Sequence, residues 1–162
     1  MNARYLNVSG RIRRELDSLD TVVERTLRIW ENGRKIRPQD EYHVDATALN
    51  IHSFYAGIER VFEIIADGVD EIKPSGANWH KELLSQVASE MEGIRPAVIS
   101  TRSLEHLDRL RGFRHVVRNV YTFKLDGAQI EPLVEILYSA HQQIRQELLA
   151  FATFLEDLGR DC

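Results

Sequence analysis

The chain has 162 residues, 43% of them hydrophobic and 28% charged, with a net charge of −4. This composition suits one globular domain with a sizeable core, and it excludes both a disordered chain and a uniformly basic nucleic-acid binder. The single cysteine, Cys162, excludes an intrachain disulfide and a cysteine-based metal site and fits a reducing cytoplasm.

The opening stretch MNARYLNVSGRIRREL has no apolar run of the secretory-signal kind. Nor does any segment approach the roughly 20 apolar residues of a membrane span. Ile12, Leu16, Leu19, Val23, Leu27 and Trp30 recur every three to four residues, which predicts one long amphipathic helix over about 4–32. Gly33 and Pro38 then break the pattern. A second helix is expected from Asp45, as its cap, to about 67, with Ile51, Tyr55, Ile58, Phe62 and Ile65 as its apolar stripe. Gly68, Pro74 and Gly76 mark a loop. A short third helix opens at Asn78 with Trp79 and His80 and ends before Gly93 and Pro96. The fourth is expected over about 103–123. The fifth begins at Asp126, with Gln129 three residues on in a capping-box pattern, and carries Ile130, Leu133, Leu137, Ala140, Ile144, Leu148, Phe151 and Leu155 on one face. No segment alternates with period two. The expected fold is all-α, an antiparallel bundle of about five helices without a sheet.

The fourth helix carries the chemistry. On a helical wheel, Leu110, Phe113, Val116, Val117 and Val120 share one side, and Arg111, His115 and Arg118 the other. Arg114 and Tyr121 flank the polar face at one edge, and Asn119 lies at the opposite edge. Between Arg102 and Lys124 five arginines and one lysine stand against Glu105 and Asp108, a local excess of +4. Arginine grips phosphate oxygens with a planar fork, tyrosine can stack on a base, and histidine moves protons near neutral pH. Equally, such a face can be solvated, paired with acids of a neighbouring helix, or used in a subunit contact. Glu59, one turn after Tyr55, is placed to pair with one of these arginines and orient it. Trp79 reads as a core plug and His80 as a surface residue. No histidine–carboxylate spacing suggests a metal site, no glycine-rich phosphate loop is present, and no cofactor is expected.

The stretch Arg114-His115-Val116-Val117-Arg118-Asn119-Val120-Tyr121 resembles the signature of the HEPN superfamily, and within it the HepT-like ribonuclease toxins. FYAGIERVFEIIA, WHKELLSQVA, IRPAVIS and VYTFKLD are similar to this family as well, so that the likeness covers about 45–155 of a chain read as one HepT-like domain over 1–162. The resemblance implies metal-independent cleavage of RNA, tRNA being one candidate, by a homodimer whose two motif helices face one cleft. Arg114 would stabilise the phosphorane, with Arg111, Arg118 and Tyr121 on the RNA. It also implies a nucleotidyltransferase antitoxin of the MNT type that transfers AMP to Tyr121. The chain departs from the motif at one point: Asn119 stands where the family has its catalytic histidine, and asparagine has no proton to exchange near neutrality. Either His115 takes over the proton transfer, or the protein binds RNA or its partner without cutting. A helical interaction module without a nucleic-acid role is the third reading. The stripes of the first and fifth helices would serve dimer contacts or the chain's own core.

Overall fold

Amphipathic stripes of this length can be covered only by other helices, and they are. The computed structural model describes residues 1–36, 42–118 and 125–161. It contains α1 (Ala3–Ile36), α2 (Tyr42–Ile65) with a π-helical turn at Ala66–Asp70, α3 (Trp79–Val87), α4 (Thr101–Arg118) and α5 (Gly127–Asp161). Among the described residues, strand-like pairing is limited to an isolated bridge between Met91 and Arg95.

The expected stripe residues of α1, α2 and α5 are buried, apart from Leu27, which packs half-buried against the core. The long helices α1 and α5 each lie against their neighbours through these stripes, so that both stripes are consumed within the chain. Gly57 permits a close approach: a Cβ there would come 2.4 Å from Leu19 Cδ2, so a larger residue would push α1 off α2. The edges of the α1–α5 contact are polar. Glu156 accepts from Ser9 Oγ at 2.6 Å and Arg13 Nε at 2.8 Å, and Arg145 Nε donates to both oxygens of Asp20 at 2.9 and 3.0 Å.

Several boundaries differ from the sequence reading. α1 passes through Gly33 to Ile36, and Gly33 is the point where His43 closes in, within 2.1 Å of a notional Cβ. α2 begins at Tyr42, so Asp45 lies in its first turn and is not its cap. α3 stops at Val87, several residues early, because the carbonyls that would carry it on have other partners. The Gln86 and Ser89 carbonyls accept from the Arg95 guanidinium at 3.1 and 2.9 Å, and the Val87 carbonyl accepts from Val98 N at 2.8 Å. At α5 the expected cap holds: Ala128 N donates to Asp126 Oδ1 at 3.1 Å.

Two polar clusters position the elements around the site. Arg95 and Asp70 have fully buried side chains and meet as a fork, Nε to Oδ1 at 2.5 Å and Nη2 to Oδ2 at 2.8 Å, while Gln86 Nε2 donates to Asp70 Oδ2 at 2.7 Å. This latch ties the end of α2, the body of α3 and the connection to α4 together. At the start of α4, Ser100 Oγ receives Ser103 N, and Glu147 from α5 accepts from Ser100 N at 3.0 Å and Ser103 Oγ at 2.7 Å. The orphan donors of the helix start are thus satisfied across two elements.

Candidate functional site

On α4, Ser103, Leu107, Leu110 and Phe113 are buried. The next residue, Arg114, turns about 100° onward and lands at the edge of that face, with only 21% of its side chain exposed. His115 and Arg118, farther round, are exposed. Val116 is exposed as well, at 37%, contrary to the apolar side assigned to it. The buried line of α4 follows only the 103–107–110–113 spacing and is narrower than the wheel suggests.

Glu59 of α2 lies among buried neighbours and is itself 7% exposed. A carboxylate in that position requires donors. His80 Nδ1 lies 2.7 Å from Oε2, and Arg114 Nη1 lies 3.7 Å from Oε1. Burial, and then the Glu59 charge, push the pKa of the Tyr55 hydroxyl well up.

His80 reaches this carboxylate from the first turn of α3. Arg114 Nη1 is 2.7 Å from its Nδ1 and 2.5 Å from its Nε2. At those distances Nη1 lies over the imidazole ring and not on the in-plane lone pair of either nitrogen. In the neutral tautomer with the proton on Nδ1, Nδ1–H donates to Glu59 and the lone pair is left on Nε2. Trp79 lies against the imidazole, with ring centroids 3.6 Å apart. Arg114 Nε is buried and has no hydrogen-bond partner among the described residues.

These groups open onto a cleft of about 590 Å³. From α3 it is lined by Trp79, His80 and Lys81, and from α4 by Arg111, Arg114, His115 and Arg118; no acidic side chain is among the described lining residues. Arg111 is braced by Asp108 on its own helix, Nε to Oδ1 at 2.9 Å. The field of the cleft reaches His52 on α2, whose pKa is lowered first by burial and then by Arg114 and Arg118, against a smaller pull from Glu59.

The structure therefore brings together Arg111, Arg114, His115 and Arg118 and places Glu59 behind Arg114. Asn119 and Tyr121 lie outside the described residues. His80 is the residue that the sequence reading set aside, and a signal for it existed: it precedes Leu83 and Leu84 by one turn and Val87 by two, which puts it on the apolar face of α3. Among the described residues no group of three or more histidine, cysteine, aspartate and glutamate side chains is placed to hold a metal ion, and no helix is long and apolar enough to cross a membrane.

The fold and the cleft define an all-helical protein whose polar site is carried by one helix and braced by two others. A family model described as HepT-like protein matches residues 46–155, from α2 through most of α5. The chain belongs to this HepT-like family of the HEPN superfamily. No curated protein and no solved structure matches it.

Proposed function

We propose that the protein is a metal-independent ribonuclease toxin acting on RNA, with tRNA as a candidate substrate. The observation that carries this reading is Arg114: its guanidinium, held by Glu59 and His80 and 21% exposed, lines a cleft rich in cations. A phosphate oxygen is an acceptor such a group can take, and Arg111, Arg118 and Lys81 supply further charge for the RNA backbone. Charge building on the phosphorane would be met by Arg114. A homodimer would bring two such clefts to one RNA. An MNT-type nucleotidyltransferase antitoxin would silence the site by placing AMP on Tyr121, since the added phosphodiester would compete for the same arginines.

The test is incubation of the purified protein with total tRNA in EDTA, beside Arg114→Ala, with products resolved on a denaturing gel. Cleavage by the wild type alone supports the reading; absence of cleavage by the wild type refutes it. Asn119, in place of the motif histidine, favours a second reading, a member that binds RNA or a nucleotidyltransferase without cutting. Gain of cleavage on Asn119→His would identify it, whereas loss on His115→Ala would show that His115 carries the missing proton transfer.

A further inference from the structure

We infer that His80, on α3 and outside the motif helix, is the proton carrier of the site, with Glu59 as its positioning residue. The inference rests on the ribonuclease reading and supplies the group that Asn119 leaves missing.

Three observations converge. First, the His80 ring is built into the site: Glu59 Oε2 lies 2.7 Å from Nδ1, Arg114 Nη1 lies over the ring at 2.7 and 2.5 Å from its two nitrogens, and Trp79 flanks it. Second, the arrangement sets the tautomer. With the proton on Nδ1 held by a buried carboxylate, the basic lone pair is on Nε2, in a ring that lines the cleft. Third, His80 and Arg114 line the same cleft, so a phosphate oxygen taken by Arg114 would bring the adjacent ribose hydroxyl beside the His80 ring.

The step then balances. The ribose 2′-hydroxyl gives its proton to His80 Nε2, the O2′–P bond forms and the P–O5′ bond breaks. The departing 5′-oxygen takes a proton from water, and the imidazolium returns its own to solvent, leaving a 2′,3′-cyclic phosphate and a 5′-hydroxyl. Glu59 balances the positive ring while it lasts, the role a buried carboxylate plays behind a catalytic histidine elsewhere.

The charged surroundings of His80 are mixed. α2 presents Glu59 and the Tyr55 hydroxyl, with His52 farther along facing Arg114 and Arg118. α4 presents Arg114 directly and Arg111, His115 and Arg118 across the cleft, and Lys81 follows on α3 itself. Protonation of the free ring removes the acceptor, so the rate should fall toward acid pH.

The experiment is single-turnover cleavage of tRNA in EDTA across pH by the wild type, His80→Gln, Glu59→Gln and His115→Ala, with tRNA affinity measured alongside. The inference expects His80→Gln to lose about 100-fold or more in rate with nearly unchanged affinity, and to lose the acid limb of the profile. Glu59→Gln should shift that limb, and His115→Ala should keep it. A His80→Gln protein that cleaves within a few-fold of the wild type, or that keeps the same acid limb, overturns the inference and leaves the ribonuclease reading intact. A wild type that cleaves nothing overturns both.

Discussion

Asp70→Asn tests how much the buried latch contributes. The substitution keeps shape and one acceptor but removes the charge facing Arg95, whose side chain is fully buried. An uncompensated guanidinium then remains among the Gln86, Ser89 and Pro96 carbonyls. Breaking a buried pair from one side costs about 3–5 kcal/mol. Unfolding entropy is about 2 cal/mol/K per residue, so for 162 residues each kcal/mol shifts the melting temperature by about 3 °C. The expected loss is therefore about 9–15 °C, measured by thermal melts followed by circular dichroism. Replacing both partners, Asp70→Leu with Arg95→Met, removes the stranded charge and should recover a large part of that loss. A single variant that melts within about 3 °C of the wild type would refute the claim that this pair is desolvated and holds α3 in place.

Two further outcomes follow from the charges. With Lys81, Arg111, Arg114 and Arg118 lining the cleft, the log–log salt dependence of single-stranded RNA binding should have a slope of about −3 per cleft, and Arg118→Ala should reduce it by about 0.7; a salt-independent affinity would rule out phosphate contact there. His141, on α5 and set against Asp20 of α1 and Phe54 of α2, has its pKa lowered from 6.5, chiefly by burial, with Asp20 pulling the other way. A folded-state pKa below the unfolded one contributes stability that is present above pH 6.5 and lost as the pH falls, so the melting temperature of His141→Gln should decline less than that of the wild type between about pH 6.5 and 5.

The repeating apolar positions of α1, α2 and α5 were readable because helix periodicity is local: each stripe residue announces the next one three or four places on. Arg114 and Glu59 were readable for a related reason, since a charge at the edge of an apolar stripe has to find a partner. The partners themselves were less so. Arg95 bonds Asp70 from 25 residues away and Arg114 meets His80 from 34 away, and no local pattern encodes those distances. Arg95 sits in a stretch punctuated by Gly93 and Pro96, where an arginine ordinarily reads as solvated. His80 was hidden by its place at the start of a short helix, where three buried residues, Leu83, Leu84 and Val87, make too brief a stripe to reveal that the histidine shares it.

The position of α3 has one more consequence. The helix starts at Trp79, and that start lines the cleft. Aligned peptide dipoles place up to about half a positive charge at a helix N-terminus. This share of the field belongs to the backbone. It does not titrate, and no side-chain substitution removes it. The cleft should therefore keep a weak pull on anions even in a variant stripped of Lys81, Arg111, Arg114 and Arg118, and the residual binding of such a variant would report the helix itself.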